Sequence, residues 1–250
     1  MLTTSIILQT KDRGEADEFV VFLSKDLGRL AGIAKNAKRS RIRFAGHLEP
    51  LSLVELLVRM RRKDDLVWID ESQVLDGHLN LRNSIQKIAW ARYFGELISV
   101  FVPDAHPEPP LFEFFKSFLN EMDTSDLTPV QLIIEELRLL GILGYAPRFD
   151  ACPVCGEAIA PGEHAHFSVY SGGTCHEKCL TPTDGITVNL SPGTLAVARR
   201  VLTLDRKAAA RFRLHPQGLH ELRTALSAFV KHLRGGQINS LVFMEKMQLP

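Results

Sequence analysis

The sequence predicts an α+β protein in two parts. A five-stranded OB-type barrel occupies residues 1–76, and an α-helical domain occupies 77–250 and carries a four-cysteine zinc-finger insertion at about 148–182. Three observations lead there. Short β-prone runs punctuated by turn residues fill the first ~70 positions, which suits a small barrel. Past Gly77 the apolar residues recur at helical spacing. All four cysteines of the chain fall in one window.

The strand runs come in order. Ser5-Ile-Ile-Leu-Gln9 is apolar and β-prone, and Phe19-Val-Val-Phe-Leu23 follows the turn-like Asp12-Arg-Gly14. Lys25-Asp-Leu-Gly28 connects into Arg29-Leu-Ala-Gly-Ile-Ala34. Pro50 to Met60 and Leu66-Val-Trp-Ile69 complete the set, with Arg61-Arg-Lys-Asp-Asp65 as the turn between them. Trp68 is expected in the barrel core; an exposed stacking platform is the alternative, and alternation within so short a run does not choose between them.

Helical spacing begins with Leu81, Ile85, Ile88, Tyr93, Leu97 and Phe101 and stops at the proline-rich segment Pro103 to Pro110. It resumes at Leu111 to Met122 and, after a Thr128-Pro129 start, at Val130 to Leu143. A Ser191-Pro192 start opens another helix, and Gln217 to Leu233 and Ser240 to Met247 close the bundle.

A chain of 250 residues with 45% apolar content is of globular type. No apolar run approaches the ~20 residues of a membrane span, and Tyr93 to Val102 is short and broken by Glu96. Met1-Leu-Thr-Thr-Ser5 lacks a basic leader, so a cytoplasmic protein without a membrane partner is expected. Net charge is only +1, but its distribution is uneven. Between Lys25 and Lys63 stand eleven cations against three acids, Asp26, Glu49 and Glu55, a local excess of eight. One basic pole points to a polyanion partner there.

Lys35, Lys38, Arg39, Arg41 and Arg43 alternate with small residues, a spacing that lets a loop track a phosphate backbone. Phe44 beside them is expected to anchor the loop in the core. Arg59, Arg61, Arg62 and Lys63 crowd a predicted hairpin tip and share the pole, either on phosphate or simply solvated. No G-x-x-x-x-G-K-[ST], G-x-G-x-x-G or G-x-S-x-G motif occurs, so an enzyme is not expected. His106-Pro-Glu108 with Cys152 and Cys155 mimics a zinc deaminase signature, but that reading leaves Cys175 and Cys179 without a role. Asp64, Asp65, Asp70 and Glu71 look like turn and strand-edge charges rather than a magnesium site.

Cys152-Pro-Val-Cys155 and Cys175-His-Glu-Lys-Cys179 are two close pairs separated by a short loop, the arrangement that presents four thiolates tetrahedrally to Zn²⁺. Gly156 can take the positive φ of a tight knuckle. A site closed by four sulfurs leaves no position for water or substrate, so one structural zinc per chain is expected. The x₃ spacing of the second pair leaves His176, His164 or His166 as substitutes for one thiolate. Disulfides would require an oxidising compartment.

Arg13-Gly-Glu-Ala-Asp17, Gly28-Arg-Leu-Ala-Gly-Ile-Ala-Lys35, Lys38-Arg-Ser-Arg-Ile-Arg-Phe-Ala-Gly46 and His47-Leu-Glu-Pro50 resemble, in order and spacing, the N-terminal barrel of the bacterial RecO recombination mediators. The helical remainder and a cysteine insertion after Arg148-Phe-Asp-Ala151 extend the resemblance over essentially the whole chain. The resemblance implies binding of single- and double-stranded DNA and annealing of complementary strands without ATP. It further implies cooperation with RecR to load RecA, indirectly, onto DNA coated by single-stranded DNA-binding protein, whose tail docks on the helical domain. By position it puts DNA on Lys35, Lys38, Arg39, Arg41 and Arg43 and metal on the four cysteines, in a nucleoid-associated protein of the bacterial cytoplasm. The alternative is a zinc-stapled adaptor that binds only proteins.

Overall fold

A computed structural model describes the chain apart from residues 61–65, 182–184, 204–207, 209, 210, 212 and 250. It separates into two compact units, residues 1–126 and 127–250.

The first unit opens with five strands, β1 (Leu2–Arg13), β2 (Asp17–Ser24), β3 (Gly28–Ala34), β4 (Leu53–Met60) and β5 (Leu66–Asp76). They close into a barrel in the order β1-β2-β3-β5-β4, with β1 antiparallel to both β2 and β4. Every pairing is antiparallel except that of β3 with β5, where Ala31 faces Leu66 and Ala34 faces Ile69. Inward positions alternate along each strand and supply Ile7, Val20, Phe22, Leu30, Val54, Leu56, Val58, Val67 and Ile69 to the core. Gly32 also points inward, and a Cβ there would lie 2.9 Å from the Val67 and Ile69 side chains.

The segment between β3 and β4 plugs the barrel. Ala37, Phe44 and Leu48 belong to its core, so Phe44 anchors the basic loop as expected. Hydrogen bonds to its backbone pin the rest: Ser72 N–H donates to Arg43 O at 3.0 Å, and the Thr10 hydroxyl donates to Leu48 O at 2.6 Å. The loop therefore has fixed ends and an exposed middle.

Two helices complete this unit, α1 (Ile85–Phe101) and α2 (Pro109–Thr124). Ser84 caps α1 by accepting from Lys87 N–H, and Phe94 of α1 stacks on Phe118 of α2 with centroids 4.2 Å apart. The connection between the helices runs along β3. Ala105 N–H donates to Arg29 O at 2.8 Å, while the Arg29 side chain bonds Val102 O and pairs with Asp104 at 2.9 Å.

The second unit begins with α3 (Pro129–Ile142), opened by a capping box between Thr128 and Gln131. It continues through a small sheet of β6 (Ala165–Ser168), β7 (Gly173–Cys175) and β8 (Thr187–Leu190), in the order β7-β6-β8. Helices α4 (Pro192–Thr203), α5 (Pro216–Arg234) and α6 (Asn239–Lys246) follow. The helices lie where the apolar spacing puts them, but the sheet was not expected. Its strands are three or four residues long, too short for a period-two pattern to show. Among the described residues no helix is long and apolar enough to cross a membrane.

Gly28 shows how tightly the first unit closes. It sits at φ 76°, and a Cβ there would lie 2.1 Å from the backbone oxygen of His106. Gly14 has a similar φ of 66° with nothing near its missing Cβ. Gly28→Ala should therefore cost about 2–4 kcal/mol, through the left-handed backbone and the collision together, and Gly14→Ala only about 1 kcal/mol. Urea melts of the two variants check this; equal losses would mean that the His106 contact does not constrain the fold.

Candidate nucleic-acid interface and metal centre

The outer surface of the barrel distributes the basic residues into two groups on either side of the end of β3. On the first side, Lys38 and Arg39 occupy a turn of 3-10 helix, Ala37–Arg39, that docks on the β1–β2 connection through Lys38 N–H to Ala16 O at 3.1 Å. Lys38 Nζ pairs with Asp12 at 2.8 Å, and Arg39 reaches Glu15 at 3.8 Å. Both carboxylates are exposed, Asp12 at 78% and Glu15 at 94%. Such pairs contribute about 0–1 kcal/mol, little enough for a phosphate to displace them.

On the other side, Lys35, Arg43 and Arg59 gather over β5. Arg59 grips Asp70 with both Nε and Nη2, at 3.1 and 3.0 Å, and holds its carboxyl below the usual carboxylate range. Arg43 donates to the backbone oxygens of Asp70 and Lys35 at 3.3 and 3.2 Å. Arg41 lies between the groups, exposed, with no carboxylate partner among the described residues. Arg61, Arg62 and Lys63 fall outside the described residues. Two cations of the basic pole are engaged elsewhere: Arg29 clamps the α1–α2 connection, and Lys25 pairs with Glu113 at 3.0 Å.

The expectation for Trp68 is corrected. Val67 and Ile69 are the inward residues of β5, at 0% and 2% exposure, so Trp68 faces outward and is half-buried. Lys35 Nζ lies 4.4 Å from its ring centroid. Asp70 shares its face two residues on, and a carboxylate cannot sit in a barrel core unpaired. That is the signal in the sequence that would have placed Trp68.

In the second unit, Cys152, Cys155, Cys179 and His176 bring one donor atom each within 4.8 Å of one another. Cys175 is not in this group, which corrects the all-sulfur set. Cys175 and His176 are consecutive in extended chain, so their side chains leave on opposite sides. Cys175 ends β7 fully buried, with Sγ 3.9 Å from Gly173 O, and His176 turns to the cluster, where Nδ1 lies 3.4 Å from Cys155 Sγ. His164 and His166 do not join.

Two turns present the donors. Gly156 takes φ 79°, and its N–H donates to Cys152 O at 2.8 Å. The 3-10 turn Glu177–Cys179 follows, with Cys179 N–H donating to His176 O at 2.9 Å. Burial opposes ionisation of Cys152, but N–H groups of Cys155, His176 and Val154 directed at its sulfur outweigh it and lower the thiol to about 6. Burial and the neighbouring Cys155 and Cys152 push Cys179 up to about 11. One thiolate forms readily and resists the next, a conflict that a bound dication removes. Glu163 Oε1 stands 3.9 Å from His176 Nε2, the ring nitrogen opposite the one nearest Cys155. The group can hold a metal ion.

His176→Ala should therefore lower bound metal several-fold and reduce the melting temperature by several degrees, as loss of a ligand from a structural site does. Cys175→Ser should leave metal content near that of the parent chain. Metal analysis after dialysis reads both; a reversed ranking would restore Cys175 as the ligand.

The second unit also contains an open, mostly apolar cavity of about 1050 Å³, lined in part by Tyr170, Ile186, Leu219 and Arg223.

Comparison with known proteins gives consistent matches. Residues 1–78 match the family model for the recombination protein O N terminus, and residues 82–241 match that for its C terminus. The chain is 34% identical over 244 residues to the DNA repair protein RecO of Anaeromyxobacter sp. (strain K), covering 98% of this chain and 95% of that one. It is 35% identical over 229 residues to the protein of that name from Syntrophobacter fumaroxidans, covering 90% and 87%. It is 29% identical over 247 residues to that of Syntrophus aciditrophicus, covering 98% and 95%.

Proposed function

This chain belongs to the RecO family of DNA repair proteins, and from that membership we propose that it is a recombination mediator. It binds single- and double-stranded DNA through the barrel, anneals complementary strands without ATP, and works with RecR in the bacterial cytoplasm, at the nucleoid, to load RecA onto coated single strands. The tail of the coating protein docks on the second unit, where an open apolar cavity is available.

The observation that carries the reading is the position of the cations. Lys35, Lys38, Arg39, Arg41 and Arg43 lie on the segment between β3 and β4, which Ala37 and Phe44 anchor in the barrel core, and Arg59 lies on β4. Annealing requires no covalent step, only relief of the repulsion between two phosphate backbones and a raised local concentration of the strands. Weak ion pairs suit that task. Lys38 and Arg39 are held extended by Asp12 and Glu15 until phosphate takes the carboxylates' place, and release is equally easy.

Zinc is the metal that the donor set favours. Three cysteines and one histidine make a known structural set, and donors about 3.8 Å apart surround a tetrahedral ion at 2.3 Å. When bound, zinc would hold the two turns together and neutralise the thiolates. An ion held by Cys152, Cys155, Cys179 and His176 would have no position left for water or substrate, so the site would support structure rather than a reaction.

Annealing of two complementary strands precoated with their binding protein, without ATP, tests the proposal. The parent chain should anneal rapidly, and the Lys38→Glu, Arg39→Glu, Arg41→Glu triple variant should lose at least about tenfold in rate, since charge reversal turns attraction at three phosphates into repulsion. Six contacts on a single strand correspond to a slope of log affinity against log salt near about −4. A slope near zero, or full activity in the triple variant, would leave the protein as an adaptor that binds only proteins.

A further inference from the structure

Trp68 is large, apolar and placed on the outside of a barrel whose inside is already full. Its neighbours along β5, Val67 and Ile69, fill the core, and its partners in register are Ile33 on β3 and Arg59 on β4. Cations frame the ring: Lys35 Nζ at 4.4 Å from the centroid, Arg59 on the adjacent strand, and Arg43 tied to the backbone of both Lys35 and Asp70. Asp70 is the acid at the centre of this face, and Arg59 already occupies both of its oxygens.

An indole under an ammonium is covered by a group that moves at little cost. Lys35 is exposed, its stem is flexible, and its attraction to the ring is of the weak surface kind. A nucleobase stacks on an exposed aromatic ring more strongly than a surface ammonium does. When a base arrives, a phosphate arrives with it, and the displaced ammonium gains a partner a few ångströms away. The exchange conserves every charge contact and adds a stack.

We propose that Trp68 is a base-stacking platform for single-stranded nucleic acid, with Lys35 as a cover that swings from the ring to the phosphate of the stacked nucleotide. The inference rests on the nucleic-acid reading above and adds to it a means of discrimination. Duplex bases are already stacked on one another, so only an unpaired strand can use the ring. The pole of cations serves both forms, and Trp68 serves one.

The chain makes the test unusually direct, because it has two tryptophans and Trp90 is 1% exposed inside the first unit. Emission changes on binding thus report on Trp68. The intact protein is titrated at low salt with an oligothymidylate, with an abasic oligomer of the same length, and with a duplex, reading fluorescence anisotropy of the labelled strand alongside tryptophan emission. The expected result is quenching by the oligothymidylate alone. Trp68→Leu should weaken oligothymidylate binding about five- to twentyfold and leave duplex and abasic binding within about twofold, the range set by loss of one stacked base. Trp68→Phe keeps a ring and should retain most of the affinity, which separates stacking from loss of fold. Salt-sensitive binding without quenching, with Trp68→Leu as tight as the parent, overturns the stacking site and leaves the nucleic-acid reading standing. No association with any of the three oligomers overturns that reading and the platform together.

Discussion

Closure of the five-stranded ladder is the constraint on which the first unit depends. β1 bonds β2 along one side and β4 along the other, and the parallel β3–β5 pair completes the ring, so no strand is left with an open edge. Closure decides the direction of every side chain. Between the register shifts of β1, β4 and β5, alternation sends successive side chains to the small core or to the outer wall, where Ile6, Leu8, Val21, Leu23 and Ile33 form a second buried set. The core is filled by Phe22, Phe44, Val67 and their neighbours, and the Val67 and Ile69 side chains take the space that a Cβ at Gly32 would need. The uncovered part of the outer wall carries charge beside Trp68. The basic face follows from the packing, since the barrel has nowhere else to put Lys35, Arg43 and Arg59.

The loop between β3 and β4 shows how the same packing makes charges useful. A free loop carrying Lys38, Arg39 and Arg41 would lose considerable conformational entropy on meeting a polyanion. Here Ala37 and Phe44 are core residues, and the segment between them is tethered within a span of a few residues at either end. The cations are partly ordered before a ligand arrives. Their carboxylate partners Asp12 and Glu15 restrain them further without neutralising them, because pairs this exposed are screened by water. Arg29 is the contrast within the same unit. Its side chain is mostly covered and spans Val102 and Asp104, so it holds the fold, and its charge is not available to a partner. Counting cations along the chain treats Arg29 and Arg41 alike, and the structure separates them.

Much of this was legible in the residues and the rest was not, for specific reasons. The five strands and the helices announce themselves by period, and Phe44 by its isolation among charges. The β6-β7-β8 sheet did not, because its strands are shorter than the two or three repeats that a pattern needs. Trp68 faces outward, as Asp70 two residues on marks the outer face of the strand; the apolar run stops at Ile69, whereas β5 continues to Asp76. Spacing alone could name His176 as a substitute for a cysteine but could not select it. The choice is made by the extended backbone at the end of β7, which buries Cys175 and leaves the next side chain facing the sulfurs.

The metal cluster and the basic face answer opposite problems in electrostatics, and this explains why only one of them suits a reversible partner. At the cluster, several ionisable sulfurs converge where burial already opposes charge, so a bound cation gains from every donor at once and leaves slowly. On the barrel, the cations are exposed and those with acid partners, such as Lys38 and Arg39, face exposed carboxylates, so any single contact is weak and affinity must come from several acting together. A sum of weak, salt-sensitive contacts dissolves in steps, which suits the reversible binding proposed for this face. The donors that would hold an ion tightly thus lie in the second unit, and the loosely paired cations lie on the barrel.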